Sequence, residues 1–258
     1  MSLPDARYQT PMSATDPKEQ VRRTKNLAAG FALSHVIKSE PHIDDCIRLL
    51  KHRLQEFANS KTPVHLDEWF NYMAFDIIGE VIFSQRFGFL EAGKDLAGSI
   101  ANSRLLVPYV TMAGFFRTFH RLTVGNPLIT DWNLMPTQHI LDTTLRALEA
   151  RKKNKDVRED VLSLWLKQHE SHPEKLSEKE LHGCVNMTVG AASDTVSASL
   201  QSFFYHLIRH PKYLSVAKQE IADANLTDDI VSYADAAKLP FLQACVRILL
   251  AHIQSHAY

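Results

Sequence analysis

Apolar residues recur along this chain at spacings of three and four, the period of amphipathic helices, and little in it suggests strands. Ile43, Ile47, Leu50, Leu54 and Phe57 form one stripe, opening after Glu40-Pro41. Leu66, Trp69, Phe70, Met73, Ile77 and Val81 repeat it beyond Pro63. Ahead of both, Asp16-Pro17-Lys18-Glu19 reads as an N-cap acid, a proline at the first helical position and a glutamate able to close a capping box, so a helix should run toward Ala28. Past Gly88 the pattern predicts helices over 94–106 and 137–151, joined by a segment rich in Phe, Gly and Pro. A short helix over 160–169 comes next, and Ser177 with Glu180 forms a capping box opening the longest helix, which should end at His210 before Pro211. Two more are expected, over 213–224 and from Pro240 onward.

The long helix is apolar on nearly every face from Cys184 to Ile208. It should therefore thread the core as a central rod, roughly 50 Å long at about 1.5 Å per residue. At its middle stands Ala191-Ala192-Ser193-Asp194-Thr195, an acid and a hydroxyl where packing alone would place aliphatics. A buried, unpartnered carboxylate is unfavourable by several kcal/mol, roughly. Small side chains at Gly190, Ala191 and Ala192 allow a flat ligand or another backbone to approach, and the Thr195 hydroxyl can bond back to the Ala191 carbonyl. Two readings stay open on this motif: a proton-delivery groove beside a planar cofactor, with Asp194 as relay and Thr195 holding water or dioxygen, or a small-residue seam for helix packing.

With 258 residues, 45% of them hydrophobic and 22% charged, the chain can bury a sizeable core. A mainly α unit over 16–247 is the expectation, with an irregular stretch over 1–15 and a divergent tail over 248–258. Lys+Arg and Asp+Glu both number 29, so no net field draws the protein to nucleic acid. Cys46, Cys184 and Cys245 are odd in number and far apart, as in a reducing, intracellular setting rather than a disulfide framework. No signal peptide or transmembrane segment is expected: the apolar stretch from Leu105 to Phe116 is short and broken by Pro108. The pairs His206/His210 and His252/His256 share helical faces but lack further ligands, and no metal site is expected from them.

The string VGAASDTVSASLQSFFYHLIRHPKYLSVAKQEI closely resembles the distal helix and its successor in the cytochrome P-450 haem-thiolate monooxygenases. Ala191, Asp194 and Thr195 match that family's pattern, while Ala192 stands for its common glycine and Val196 for its second threonine. DPKEQVRRTKNLAAGF, HLDEWFNYMAFDIIGEVIFSQRFGFL and LPFLQACVR agree with further family segments in the same order. The resemblance, closest to microsomal-type members and the fungal secondary-metabolism branch related to pisatin demethylase, implies a partial P-450 fold, a central helical bundle around the distal helix.

The same resemblance implies a haem cofactor lined by Gly190, Ala191 and Ala192, with Gln20 and Thr24 where the family places His or Trp and Arg against the propionates. Neighbouring Arg23 is positioned to make up part of the missing charge. Asp194 and Thr195 would be the catalytic, proton-passing pair; Met187 and Val189 would touch a small apolar organic substrate. A flavin reductase is the implied partner, and the resemblance would place its docking face on the stripe Lys18, Arg22 and Lys25, which read from the residues alone is more simply a solvated helix face. The Glu-x-x-Arg pair should occupy Ile248 and Ala251, yet the chain reads ILLAHIQSHAY there. The resemblance leads to the expectation that this chain lacks both the cysteine loop for the iron and the family's anchor to the endoplasmic reticulum. The expectation is a form truncated at both ends and inactive as written; the alternative is a non-enzymatic helical interaction fragment.

Overall fold

The computed structural model describes residues 10–14, 16–113, 115–123, 126, 128, 138–153, 158–226 and 228–255. Among the described residues there is no strand. The principal helices are α1 (Pro17–Ala28), α2 (Glu40–Ser60), α3 (Leu66–Phe83), α4 (Ser99–Ala113) and α5 (Arg117–Leu122). They continue with α6 (Gln138–Lys153), α7 (Val161–Ser171), α8 (Glu178–Arg209), α9 (Pro211–Asp223) and α10 (Pro240–Ser255). No described helix is long and apolar enough to cross a membrane.

Two antiparallel helices, α3 and α8, make the centre. Gln201 Nε2 donates to Asp67 O at 3.4 Å, the Phe204 ring lies 5.0 Å from Phe70, and Val189 and Phe75 line one small cavity, so one helix ascends as the other descends. α3 is buried almost throughout from Trp69 to Phe83, because helices flank it on several sides. On one of them Phe57 of α2 meets Trp69 edge-on at 5.7 Å. Trp165 of α7 is 1% exposed and donates its indole N–H to Leu27 O at 3.2 Å, seating the end of α1. That contact needs Gly30: a Cβ there would lie 2.8 Å from Val161 Cγ1 and 2.9 Å from Trp165 Nε1.

Polar groups inside the bundle are spent on helix ends and turns. Asp76 accepts the N–H groups of Gly88, Phe89 and Leu90 at 2.7, 3.1 and 2.9 Å, stopping the chain's turn after α3. Asp160 caps α7 through Ser163 N at 2.7 Å and takes the Ser84 hydroxyl at 2.8 Å, while Arg151 donates to Ser163 Oγ at 2.6 Å. Ser177 and Glu180 form the capping box of α8, and Glu180 also pairs with Arg22 and Arg23 of α1.

Three sequence expectations change. Asp16 does cap α1, through Lys18 N at 2.9 Å, but Glu19 does not close a box; it turns to the Arg22 guanidinium at 3.0 Å. The helix expected over 94–106 starts at Ser99 and runs through Pro108 to Ala113. Pro108 is exposed, so water can serve the carbonyl its missing N–H leaves free. Lastly, α8 is not enclosed along its whole length. Its first half is buried, but Val196, Phe204, Tyr205 and Ile208 are 44%, 39%, 55% and 55% exposed. An all-round apolar helix buries only those faces against which other helices lie, and past Ser197 fewer do.

Candidate functional site

The middle of α8 divides its small residues between two faces. Ser193 and Ser197 are 0% and 1% exposed and form the close seam toward α3; Ser193 returns its hydroxyl to Val189 O at 2.8 Å, and Ser197 accepts Gln201 Nε2 at 2.7 Å. Two residues along a helix rotate a side chain by about 200°. Ala191 and Thr195 accordingly look the other way and are exposed. A Cβ added at Gly190 would meet nothing within 4 Å. The motif thus has a packing seam on one side and an open small-residue face on the other.

Asp194 stands at the border, half-buried, and its Oδ2 accepts the Ser103 hydroxyl from α4 at 2.8 Å. Thr195 Oγ1 donates to Ala191 O at 2.9 Å and to Ala192 O at 3.3 Å, the back-bond expected from sequence. Its lone pairs remain turned to the open face, able to accept from water. The sequence picture of an enclosed acid–hydroxyl pair is therefore corrected: the hydroxyl is exposed and the acid is held by a partner 91 residues away. Nothing in the apolar pattern marks Ser103, since a lone serine on a helix carries no periodic signal.

The other expected site residues fall in separate places. Gln20 and Thr24 are exposed one turn apart on α1, where Thr24 Oγ1 donates to Gln20 O at 2.8 Å. Arg23 does not stand in for a missing cation beside them; its Nε lies 3.3 Å from Glu180, and its Nη1 donates to Thr10 O at 3.1 Å. Arg22 likewise leaves the expected basic stripe, donating to Lys175 O at 2.7 Å and pairing with Glu180. Met187 is half-buried, and Val189 is 1% exposed against a 20 Å³ cavity shared with Phe75, Phe87, Phe89, Ser99, Thr143 and Thr144. His210 Nδ1 lies 2.8 Å from His206 O, a helix-end contact, and the side chains of His252 and His256 lie outside the described residues.

The sequence pattern of the family described as Cytochrome P450 matches residues 5–247. The chain belongs to the cytochrome P450 family. Among similar P450s is the cytochrome P450 monooxygenase cfoH of Aspergillus candidus, 26% identical over 245 residues, which cover 91% of this chain and 45% of that protein. A cytochrome P450 monooxygenase of Aspergillus terreus is 26% identical over 237 residues, 86% of this chain and 48% of that one. Cytochrome P450 monooxygenase gsfF of Penicillium aethiopicum is 26% identical over 258 residues, 94% and 51%. The chain spans about half the length of these curated relatives, and α10 runs on to Ser255, past the last matched residue.

P450 membership implies a haem, and the residues present fit one of its two sides. At Gly190, Ala191 and Thr195 the side chains are small and the surface is open, as the approach of a planar macrocycle requires. The cysteines do not fit the role of iron ligand. Burial pushes the Cys46 and Cys184 thiols up to about 12, aided by Asp76 and Glu80 at the first and Glu180 at the second. Burial raises Cys245 too, in the groove between α8, α9 and α10. Cys46 and Cys184 are 0% and 1% exposed within the hydrophobic core, closed to a macrocycle. Among the described residues no three His, Cys, Asp or Glu side chains are arranged to hold a metal ion.

Proposed function

We propose that residues 16–247 form the distal part of a haem-dependent monooxygenase site that inserts one oxygen atom of dioxygen into a small apolar organic substrate. The observation that carries this reading is the juxtaposition on α8 of an open small-residue face with a half-buried acid one residue from an exposed hydroxyl. Bound haem supplies the activation of dioxygen. Gly190, Ala191 and Ala192 let its plane approach, and Gln20 and Thr24 offer an amide and a hydroxyl to the propionates. Asp194 moves protons between water and the open face, while Thr195 Oγ1 accepts from a water there or, by turning its O–H off the Ala191 carbonyl, donates to dioxygen. Met187, half-buried, borders the substrate, and Val189, closed on the packed side of α8, lies behind it. The named relatives are monooxygenases of Aspergillus and Penicillium, which supports a fungal-type member; a secondary metabolite as substrate and the branch related to pisatin demethylase are carried over from the sequence resemblance alone. Lys18 and Lys25 are the cations on α1 that remain for an acidic flavin reductase, in an intracellular setting.

In our reading the 258 residues by themselves do not complete this reaction: Cys46 and Cys184 are closed in the core, and the sequence shows no motif like the family's cysteine loop. Purified chain mixed with haemin and reduced under carbon monoxide should give no thiolate-type Soret band; appearance of that band overturns the statement. In a haem-loaded protein containing this segment, Asp194→Asn should lower turnover by about 10²–10⁴-fold, the usual worth of a positioned proton donor. Unchanged turnover would remove the relay role. The apolar groove lined by Phe203, Leu207, Tyr213, Phe241, Ile248 and Leu249 supports a second reading, a helical interaction module without chemistry. A discrete stoichiometric complex on size exclusion would favour it over the first.

A further inference from the structure

We propose that Ser103 is the positioning residue of Asp194, holding the acid in place through both of its protonation states. The inference rests on the relay reading of Asp194 and adds to it the group that aims the carboxyl. Ser103 is half-buried on α4, and its hydroxyl reaches Asp194 Oδ2 at 2.8 Å.

Its place is fixed from both sides. Below it, Asp95 accepts Ile100 N and Ala101 N, each at 3.0 Å, anchoring the first turn of α4. Ile100 is buried there at 6% exposure. Beside it, Arg104 reaches Asp67 of α3 at 3.4 Å, and Asp67 O in turn accepts Gln201 of α8. Ser103 is thus carried on a stretch of helix tied to both members of the central pair. An unpartnered Asp194 could rotate toward solvent; a bonded one keeps a fixed direction beside the open face.

The chemistry of the partner matters as much as its location. A lysine or arginine only donates, so it would hold the acid as carboxylate and oppose its protonation. A serine hydroxyl both donates and accepts. When Asp194 is ionised, Ser103 Oγ–H donates to Oδ2. When Asp194 carries a proton, the same oxygen can accept that O–H. The acid can give its proton to an acceptor on the open face and regain one from water without losing its tether, and the serine ends each cycle unchanged.

The test is made on the full chain with aspartate labelled by carbon-13 at the side-chain carboxyl. The Asp194 resonance is identified by its loss in Asp194→Asn. Ser103→Ala should displace this resonance while those of Asp76 and Asp160, deep in the bundle, stay in place. Ser103→Thr, which keeps the hydroxyl, should return it. An Asp194 signal unmoved by Ser103→Ala, or moved as far by Ser103→Thr, overturns the proposal. Should the alanine variant scatter every aspartate signal, Ser103→Cys takes its place, with similar size and only a weak S–H donor, under the same two outcomes. A double-mutant cycle of Ser103→Cys with Asp194→Asn in urea unfolding adds a second reading: coupling on the order of tenfold in the folding constant is expected, and its absence counts against direct contact. The two claims fail separately. An inert Asp194→Asn in the loaded protein removes the relay and leaves the Ser103 bond standing, whereas an unmoved carbon signal removes the positioning residue and leaves the relay.

Discussion

Gly30 and Gly190 are both helical glycines whose missing side chains mean opposite things. At Gly30 a methyl group would press into Val161 and Trp165, each 1% exposed and unable to withdraw. Gly30→Ala should therefore destabilise the protein by about 1–3 kcal/mol, seen as a lower urea midpoint. At Gly190 the added carbon meets open space, and Gly190→Ala should stabilise α8 by up to about 1 kcal/mol in the same assay while narrowing the haem-facing surface. A midpoint that falls in the second variant would show that the face is already covered. Neither outcome is readable from the sequence, where both are simply glycines among small residues. The same holds for Asp194: its oddness in an apolar helix is plain from sequence, but the hydroxyl that answers it lies 91 residues earlier, in a segment whose helical register is obscured by Pro108.

Helix by helix, the legible parts were those with local chemistry. Ser177 and Glu180 announce the start of α8, and the stripe from Ile43 to Phe57 announces α2, because caps and periodicity act over a few residues. What α8 meets is not local, so the bare flank from Val196 to Ile208 could not be foreseen. The α8 start also predicts a pH effect. Burial pushes the Glu180 carboxyl up, but the Ser177 N–H and hydroxyl and the Arg22 guanidinium outweigh it and hold the group below its ordinary 4.5. A depressed carboxyl stabilises the fold above its unfolded value, and that contribution is lost as pH falls through the folded one. Unfolding followed by circular dichroism should show a steep acid limb below pH 4.5, flattened in Glu180→Gln. An identical limb in the variant would place the acid sensitivity elsewhere.

Across the whole molecule, burial is lopsided: the packing around α3 is dense, while a groove of about 510 Å³ between α8, α9 and α10 stays open, with Ile248 70% exposed and Tyr213 51%. Apolar surface of that kind binds hydrophobic dyes. Anilinonaphthalene sulfonate should fluoresce strongly with the native chain, and Phe203→Ser with Ile248→Ser should dim it; a dark native protein would mean the groove is closed in solution. The dense side has a different consequence. The first helix is clasped by Glu180, 158 residues downstream. A ribosome adding about 5–20 residues per second needs roughly 8–30 s to span that interval. For that long the nascent helix waits without this clasp, so synthesis speed, more than any contact within the helix, sets when the first helix can be fastened to the start of α8.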